Sequence, residues 1–409
     1  MINCYICSDA ATPLINLGNS PKSNFYADSF ESSKKETFPL ELFSCSKCCH
    51  LQLANHITPE KLFKNYTYVS GTTKTLKDYF KIIAECCMES IRPNSVLDVA
   101  SNDGSFLKAF DEYKPKKIKL SGIDPAENLR SSYPNHIEIT TGFLEKKTEL
   151  GKNFDFISAQ NVVAHTPSPI SLLQGIEKHM HDDSILLLQT SQAFMLPKCQ
   201  FDTVYHEHYS YFSLRSIEIA LLKVNLKIVE TMIADIHGQS LVNIITKKNS
   251  SSIKARKISL RLMMRKSFRK LTEREKFQLY NQKIFIKQLS NFDYLIKEMK
   301  KKFKIWSHKN KDSKFVIVGS AAKAVTWMIT VGLQPELIID ENPLKINKFL
   351  PNCREPIKGM SDLHLQNTIF IIGAWNFYDE VKEKLIDQGL SNGNNSIVKF
   401  FPEFQMENL

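Results

Sequence analysis

Two pairs of closely spaced cysteines constrain the N-terminal segment of this chain more than any other sequence feature. Cys4 and Cys7 form the first pair, and Cys45 and Cys48 form the second. Four thiolates can hold one zinc ion in a closed tetrahedral site, which stabilises a fold and leaves no position for a substrate. The sequence therefore predicts a structural zinc site with these four ligands. The alternatives are four buried free thiols, or exchange of one ligand for a neighbour: Cys49, His50 or His56.

The composition is that of a folded chain with several domains. Its 409 residues exceed what one compact core usually holds, and 43% hydrophobic with 24% charged residues are ordinary globular values. No apolar run reaches the roughly 20 residues that a membrane-spanning helix needs, and the N-terminal sequence lacks the pattern of a secretory signal. We therefore expect a cytoplasmic protein with no membrane partner, in which clustered cysteines bind metal rather than form disulfides.

Strands and helices alternate in two separate stretches of the sequence. Apolar runs typical of buried strands lie at 95–100, 118–124, 154–159 and 184–189, and again at 315–320, 335–340 and 368–373. This alternation predicts parallel sheets with right-handed crossovers, and hence an α/β fold in each stretch. Residues 251–305 contain neither Gly nor Pro and predict a long helix or a helix pair. We expect domains at 1–65, 66–246 and 247–409.

A tight turn follows the first of these strands, and Asp124 closes the next strand. Such a turn lets the backbone approach a ligand, and a carboxylate closing the following strand can accept both ribose hydroxyls of an adenosine. The turn has one Gly where dinucleotide sites have three, and Asp103 would repel a pyrophosphate but not a sulfonium cation. The pattern favours S-adenosylmethionine over a nicotinamide cofactor, with a purely structural turn as the alternative. The candidate cofactor-binding residues here are Asp98, Ala100, Asn102, Asp103, Gly104 and Asp124.

The stretch 201–212 combines two histidines, two carboxylates and three tyrosines, a mixture that neither a core strand nor a solvated helix needs. Imidazole, phenol and carboxylate groups move protons near neutral pH and stabilise an oxyanion as it forms. The stretch is therefore a candidate site for removing a proton from carbon next to a ketone. His206 and His208 alternate, so on a strand they would share one face, and one of them can be structural.

Three further features have both a functional and a structural interpretation. Asn161 and His165 follow the strand at 154–159, at the edge where open α/β sheets bind ligands, so they contact a ligand or only pack. The small-residue turn that ends in Lys323 suits phosphate binding through backbone N–H groups and one cation, or only packs. The dense Lys and Arg at 251–314, within a net charge of +11, are a nucleic-acid footprint or, as we favour, a solvated helical connector.

The chain resembles the sugar C-methyltransferases of deoxysugar biosynthesis over nearly its whole length. The resemblance rests on the paired cysteines and on sequence strings at 98–107, 122–128, 160–165, 205–209, 340–345, 349–351 and 374–377. The most specific of these strings is Tyr-His-Glu-His at 205–208. The resemblance implies an α/β chain with an N-terminal zinc-binding module, a central class I methyltransferase domain of Rossmann-like fold and a second Rossmann-like domain. It implies methyl transfer from S-adenosyl-L-methionine to carbon 3 of a nucleoside-diphosphate 4-keto-6-deoxy sugar, with zinc as the second cofactor.

The resemblance also implies roles for individual residues. His208 is the base that removes the proton on carbon 3 of the sugar. Tyr205 and Glu207 lie beside the keto oxygen and the base. A tyrosine at the start of the methyltransferase domain contributes as well, and Tyr66 and Tyr68 are equally good candidates. Asn161 and His165 join the cofactor-binding residues, and the substrate-binding residues are Ser240, Lys323 and Lys348.

The sequence departs from this family at 237–242, where Val242 replaces the arginine that family members usually carry. Because valine cannot replace a bidentate cation, the departure bears on which sugar is bound rather than on the cofactor. We expect a nucleotide-sugar substrate, no nucleic-acid partner, and a monomer or homodimer. One alternative is a zinc-knuckle RNA methyltransferase, which leaves the string at 205–208 unexplained. The other is a protein that binds sugar nucleotides without catalysis, or reduces them with a nicotinamide cofactor.

Overall fold

The computed structural model of the chain describes residues 2–54, 57–64, 66, 69–113, 118–191, 193–360, 365–392, 394–400 and 403–409. By their internal contacts these residues form two compact units. The first unit comprises Met1–Thr12, Phe43–Phe194 and His208–Ile286, and the second comprises Pro13–Leu42, Met195–Glu207 and Lys287–Leu409. The division separates Glu207 from His208, so the members of the string at 205–208 are described with their own units.

The secondary structure follows the alternation expected from the sequence. The N-terminal segment contains β1 (Ile2–Asn3), β2 (Ala10–Pro21), α1 (Phe30–Ser33), β3 (Thr37–Cys45), β4 (His50–Leu53) and α2 (Pro59–Phe63). The central segment contains α3 (Lys74–Ser90), β5 (Ser95–Val99), α4 (Ser105–Lys108), β6 (Lys119–Asp124), β7 (Ile137–Thr141), β8 (Phe154–Gln160), α5 (Pro169–Lys178), β9 (Met180–Thr190), β10 (Ser210–Phe212), α6 (Leu214–Leu222), β11 (Leu226–Ala234) and β12 (Ser240–Lys247). The C-terminal segment contains α7 (Ile253–Met263), β13 (Phe268–Lys270), α8 (Glu273–Tyr280), α9 (Gln282–Lys309), β14 (Lys314–Val318), α10 (Ala322–Val331), β15 (Leu337–Ile339), β16 (Thr368–Ile372), α11 (Tyr378–Asp387), β17 (Ser396–Lys399) and β18 (Gln405–Asn408).

The main sheet of the first unit has the strand order β13-β11-β12-β9-β8-β5-β6-β7. Strands β5 to β9 are parallel, as the strand–helix alternation predicts, whereas β12 runs antiparallel to both β9 and β11. The carboxyl ends of β5, β6 and β8 therefore meet at one edge of the sheet. In open α/β sheets this is the edge at which ligands bind.

Apolar side chains of the main sheet alternate between two hydrophobic layers on its opposite faces. Val96 packs in one layer with Ile83 of α3, and Leu97 packs in the other layer with Ile176 of α5. Cys48 belongs to this second layer, so the cysteine cluster shares its core with the sheet. Burying one side chain of this size stabilises a fold by about 1.5–3 kcal/mol.

A smaller sheet, of strand order β1-β2-β3-β4-β10, links the cysteine-rich segment to the candidate active-site stretch. Strand β10 pairs antiparallel with β4, with Ser210 opposite Gln52 and Phe212 opposite His50. One residue earlier, the carbonyl of Tyr209 accepts the backbone N–H of Leu53 at 3.0 Å. The residues that follow His208 are therefore held by the strand that follows Cys48.

The second unit contains the other predicted α/β fold. Its sheet has the order β15-β14-β16-β17-β18, in which the first four strands are parallel and β18 is antiparallel. An aromatic cluster packs α9 against this fold, with ring centroids 4.5 Å apart for Trp327 and Phe400 and 5.3 Å apart for Phe303 and Trp327. Aromatic pairs of this kind add about 0.5–1.5 kcal/mol beyond the area they bury.

The region 251–305 differs from the predicted helix or helix pair. It forms α7, the short strand β13, α8 and most of α9. The strand forms because Phe268 is buried and its neighbours pair with β11, a tertiary contact that local periodicity does not reveal. Thr272 and Glu275 then start α8 with a reciprocal capping box. No helix among the described residues combines the length and the apolar character that crossing a membrane would require.

Candidate active site and metal centre

The four predicted zinc ligands converge in the first unit. Their Sγ atoms lie within 4.8 Å of one another, with 3.5 Å between Cys4 and Cys48 and 3.4 Å between Cys7 and Cys45. A tetrahedral zinc with thiolate bonds of about 2.3 Å places its sulfur atoms roughly 3.8 Å apart, so the four thiols fit this ion. The hydrogen bond with Cys48 lowers the pKa of the Cys4 thiol to about 5, which favours the thiolate that a metal needs. Within the described ranges, no other group of His, Cys and carboxylate side chains comes together in this way.

The segment that begins at His208 is anchored to the cysteine-rich module by side chains as well as by backbone pairing. The Tyr209 hydroxyl donates to the carbonyl of Ile57 at 2.5 Å, and Ser210 Oγ lies 3.2 Å from His50 Nε2. Burial lowers the pKa of His50 to about 3, so this imidazole is neutral at physiological pH. The contacts of Tyr209 and Ser210 therefore fix the position of His208, the residue that precedes them.

His208 lies in a row of rings in the first unit. Its ring centroid is 4.9 Å from that of His165 and 5.9 Å from that of Tyr211, and His165 in turn lies 5.7 Å from Phe63. His208 is 5% exposed. Burial lowers the pKa of His165 to about 4, so His165 is a neutral neighbour near pH 7. Because His165 follows β8, the row lies at the carboxyl end of the parallel strands.

The turn after β5 has the tight backbone that the sequence predicts. Ala100, Asn102 and Gly104 have φ values of 58°, 52° and 75°, in the left-handed region. The Asp124 carboxylate accepts the N–H groups of Asn102 at 2.8 Å and Ala126 at 2.7 Å, which ties the turn to the end of β6. Each carboxylate oxygen keeps a further lone pair, so Asp124 can still accept a ribose hydroxyl.

Asp103 has a role inside the fold that the sequence did not indicate. Its carboxylate accepts the Ser105 hydroxyl at 2.7 Å and the Gly71 N–H at 3.2 Å. Tyr133, which was not a candidate, donates its hydroxyl to the Asn102 carbonyl at 2.7 Å. A Cβ at Gly104 would approach this Tyr133 ring to 2.9 Å, so the turn requires glycine there.

Asp98 and the residues at the end of β8 place buried polar groups at the same edge of the sheet. Burial raises the pKa of Asp98 to about 8, opposed by a hydrogen bond with Ser158. Gln160 Oε1 and Asn161 Oδ1 are buried and have no hydrogen-bond partner in the described part of the chain. Buried acceptors of this kind are normally satisfied, so the site fits a ligand that supplies N–H or O–H donors. S-adenosylmethionine carries both, and its sulfonium would favour the ionised form of a nearby carboxyl.

Replacing Asp98 with Asn should stabilise the ligand-free protein at alkaline pH. The folded-state pKa of about 8 exceeds the ordinary value of 3.8, so the cost of burying the charge grows between these two pH values and is complete above them. Asn is neutral at every pH. The Tm of Asp98→Asn should therefore exceed that of the native protein by several degrees at about pH 9 and match it at about pH 4.

We expect the Asp98 carboxylate to contact S-adenosylmethionine, so the same variant should lose affinity for it by about tenfold or more in calorimetric titrations. Asp182→Asn is the matched control, because Asp182 is an exposed carboxylate on β9. It should change neither the Tm nor the affinity. Equal Tm values for Asp98→Asn and the native protein across the pH range would contradict the burial argument.

Of the two candidate tyrosines, only Tyr66 lies within the described residues, and Tyr68 lies outside them. The backbone of Tyr66 is clamped by Asn128, whose side chain accepts its N–H at 3.0 Å and donates to its carbonyl at 2.9 Å. The Tyr66 ring lies 5.5 Å from Phe63, which extends the row of rings from His165. Asn128 was quoted in a sequence string but was not a candidate, because a side chain that clamps a distant backbone leaves no periodic signal.

In the second unit, Tyr205 lines a small, open pocket. The pocket is formed by residues 20–26, by the start of α10 and by Leu350. The first turn of α10 has no side-chain cap, so its backbone N–H groups suit an anionic group. On the same unit the Tyr26 hydroxyl donates to the Ser320 carbonyl at 2.7 Å, which fixes residues 20–26 against the turn before α10.

His206 and Glu207 have structural partners in the second unit. The two ring nitrogens of His206 lie 3.2 Å and 3.3 Å from the carbonyl oxygens of Pro21 and Pro39. An imidazole between two acceptors joins these two segments, so His206 has a structural role in the second unit. Glu207 is buried and accepts the side-chain amide of Asn24 at 2.8 Å.

Lys323 lies in a cluster with Trp375 and Asp202, and only Lys323 of these three was a candidate from the sequence. Its Nζ is 4.8 Å from the ring centroid of Trp375, whose indole N–H donates to Asp202 at 2.7 Å. Burial lowers the pKa of Lys323 and raises that of Asp202, and each charge offsets part of the shift in the other. Asp202 lies in the quoted stretch at 201–212, yet nothing in the sequence distinguished it from an exposed carboxylate.

The three substrate-binding candidates do not come together in one unit. Ser240 is in the first unit, fully buried, and its hydroxyl donates to the Ile236 carbonyl at 3.1 Å. Lys323 and Lys348 are in the second unit, where Lys348 pairs with the exposed carboxylate of Asp28. Ser240 therefore has a hydrogen-bond partner inside the first unit, and Lys348 lies on the surface in an ion pair.

The main sheet has parallel strands and two reversed strands, β12 and β13, a tight turn follows β5, and four cysteines converge in the same unit. These features agree with a methyltransferase domain and a zinc-binding module. Comparison with protein families gives the same result in three consecutive parts. A putative zinc binding domain matches residues 4–63, a methyltransferase domain matches 62–231, and a C-methyltransferase C-terminal domain matches 235–400. The chain fits the C-methyltransferase family.

The curated relative C-methyltransferase NovU of Streptomyces niveus is 28% identical over 254 residues. The match covers 58% of this chain and 59% of that relative, which is less than two thirds of its length. Among solved structures, a S-adenosylmethionine-dependent methyltransferase from Clostridium acetobutylicum covers 42% of this chain and 91% of its own, at 11% identity and a TM-score of 0.34. N-methyltransferase NodS from Bradyrhizobium japonicum, solved with S-adenosyl-l-homocysteine, covers 43% and 89%, at 13% identity and a TM-score of 0.34. Scores this low do not establish a shared fold, so the family assignment rests on the sequence matches.

The cofactors of the chain are zinc and S-adenosylmethionine, as predicted. The zinc-binding match spans the four cysteines whose sulfur atoms converge, and the methyltransferase match spans the turn after β5. A closed four-thiolate site leaves no open position on the metal. Zinc held by these four thiolates would therefore stabilise the module.

Proposed function

We propose that the protein transfers a methyl group from S-adenosylmethionine to carbon 3 of a nucleoside-diphosphate 4-keto-6-deoxy sugar. The observation that carries the proposal is the position of His208, a buried imidazole next to His165 at the carboxyl end of the parallel strands. In this fold class the cofactor binds at that end of the sheet. A histidine there can act on the carbon that receives the methyl group.

The proposed chemistry begins with the proton on carbon 3. This proton is acidic because the resulting carbanion delocalises into the neighbouring ketone as an enolate. Imidazole is the side chain that exchanges a proton near neutral pH, so a histidine at this position can accept it. His165 is neutral, so it adds no positive charge that would make His208 a weaker base. S-adenosylmethionine supplies an electrophilic methyl group for the enolate carbon.

Other residues receive their roles from the family resemblance. We propose Tyr205 as the donor to the enolate oxygen and Glu207 as the partner that orients the base or balances its charge. Either Tyr66 or Tyr68 assists them. An oxyanion donor of this kind typically contributes about 2.7–4 kcal/mol of transition-state stabilisation.

The second unit is proposed to hold the nucleoside diphosphate of the substrate. The uncapped start of α10 and the half-buried Lys323 supply N–H donors and one cation. Asp340, which follows β15, accepts the Ser320 hydroxyl at 2.7 Å and the Lys345 ammonium at 2.9 Å, so this carboxylate fixes the turn before α10.

We also propose that the divisions 1–65, 66–246 and 247–409 correspond to metal binding, cofactor binding and substrate binding. A cytoplasmic location suits this function, because nucleotide sugars and S-adenosylmethionine are made there. The diphosphate of the proposed substrate is anionic, and the net charge of +11 on the chain would attract it.

The test is methyl transfer by the purified, zinc-loaded chain. With methyl-labelled S-adenosylmethionine and a panel of nucleoside-diphosphate 4-keto sugars, we expect label on carbon 3 of at least one sugar, located by NMR. The same sugars reduced to the 4-hydroxyl form are the matched control and should accept no label, because they cannot form an enolate. Label on added RNA with none on any keto sugar would instead support the RNA methyltransferase alternative and contradict the proposal.

A further inference from the structure

The outward face of α7 in the first unit carries an apolar ridge that the proposed function does not use. Ile253, Leu260 and Met264, the last at the C-cap, are 60%, 60% and 76% exposed. At about 100° per residue, these side chains fall within an arc of about 40° around the helix. Single exposed apolar residues are common on protein surfaces, but three on one face of a short helix form a patch.

Cations flank this ridge on both sides. By the same helical spacing, Arg256 lies on one side of the ridge and Lys257 and Arg261 lie on the other. Within the described part of the chain, Arg256 and Lys257 have no ion-pair partner. Arg261 lies 3.6 Å from Glu89 of α3, which offsets part of its charge.

The opposite face of α7 fixes the helix to the protein core. Ala255, Ile258 and Leu262 are fully buried in the layer that covers one face of the main sheet. Arg265, just past the helix, lies 3.0 Å from Glu85. The helix that carries the ridge is therefore fixed to the protein core, and the ridge residues are exposed because they lie on its outward face.

We propose that this face of α7 is a docking surface for an anionic lipid bilayer. Apolar side chains in the middle of a helix face, with Lys and Arg beside them, match the boundary between acyl chains and anionic headgroups. We expected no membrane partner because no apolar run can span a bilayer. A surface contact needs no such run, and it is independent of the proposed reaction.

Two other occupants fit the same face less well. A nucleic acid would use the cations, but bases are held by stacking on aromatic rings, and the ridge has none. A second copy of the chain would place like charges opposite one another, in a protein that already carries a net charge of +11. An anionic bilayer uses the cations and the apolar ridge together.

The test is flotation of the full-length, zinc-loaded chain with lipid vesicles. Vesicles in which phosphatidylglycerol makes up about a third of the lipid should carry the protein, and pure phosphatidylcholine vesicles should not. Leu260→Glu with Met264→Glu should weaken binding to anionic vesicles by about tenfold or more. Arg256→Gln with Lys257→Gln should weaken binding and reduce its dependence on salt.

Matched controls separate this face from general charge and exposure. Lys300→Gln with Lys301→Gln removes the same charge from α9, and Ile386→Glu changes an exposed apolar residue on α11 that is 42% exposed. Neither control should change vesicle binding by more than about twofold. None of these residues belongs to the proposed catalytic or binding machinery, so methyl transfer should be unchanged in all of the variants.

Three results would overturn the proposal. The native chain fails to float with anionic vesicles, or both double variants of α7 bind them as well as the native chain does. A short single-stranded RNA that binds through Arg256 and Lys257, without any dependence on Leu260 and Met264, would assign the face to nucleic acid instead.

Discussion

The His208→Ala protein is expected to lose exchange of the carbon 3 proton while it still binds S-adenosylmethionine. In heavy water without the cofactor, the native protein should exchange the proton on carbon 3 of a 4-keto nucleotide sugar for deuterium, because the base acts before methyl transfer. Removing a positioned general base typically slows proton transfer by about 10²–10⁴-fold. NMR of the sugar measures the exchange directly.

The controls for this prediction separate loss of the base from loss of the fold. His208→Gln keeps a polar side chain of similar length without a basic nitrogen, so it should be as slow as His208→Ala. His136→Ala changes an exposed imidazole that pairs with Asp111, and it should exchange at the native rate. Affinity for S-adenosylmethionine should stay within about threefold in all three variants.

Two outcomes contradict different parts of the argument. If His208→Ala exchanges at the native rate, another group is the base and the assignment of His208 is wrong. If the native protein itself exchanges no proton with any 4-keto nucleotide sugar, the proposed substrate class is wrong, whatever the base. The experiment therefore tests the residue and the reaction separately.

The second large effect is expected for Cys45→Ser, which should lose zinc and destabilise the whole first unit. Structural zinc sites contribute on the order of 10 kcal/mol to folding in zinc-finger peptides. The cysteine cluster shares a hydrophobic layer with the main sheet, so its loss should not remain local. Metal content by mass spectrometry and thermal unfolding measure the two parts of this prediction.

Cys49→Ser is the matched control, because Cys49 is a buried neighbour of Cys48 but lies outside the group of converging sulfur atoms. It should keep its zinc and most of its stability. Zinc that is retained in Cys45→Ser and lost in Cys49→Ser would show that the ligand set is exchanged, one of the alternatives that the sequence left open. Retention in both variants would contradict a four-cysteine site.

Much of this architecture was predictable because its determinants are local in the sequence. Two Cys-x-x-Cys pairs identified the metal ligands, since a knuckle of this kind needs only a tight turn to bring two thiols together. Apolar runs such as 95–100 identified buried strands, since strands covered on both faces are mainly apolar. The zinc and S-adenosylmethionine predictions are confirmed by the domain matches and the converging cysteines, and the two α/β folds by the observed sheets.

What was missed depends on contacts between distant parts of the chain. The strand β13 exists because β11 offers it a partner, and Asn128 acts on Tyr66 through an amide clamp that no spacing rule contains. The string at 205–208 looked like one cluster, yet its first three members and its last pack in different compact units. Neighbours in the sequence need not face the same side, and His206 and Glu207 lie in a turn that the sequence did not reveal.

The pairing of β4 with β10 has a consequence for any attempt to recombine parts of this protein. Grafting a foreign N-terminal module would require its fourth strand to meet residues 210–212 in the present alignment. A slip of one residue would turn each side chain of the strand towards the opposite face and would carry His208 away from the His165 ring. The N-terminal module is thus not an interchangeable accessory, and functional chimeras should inherit it together with the strand that follows His208.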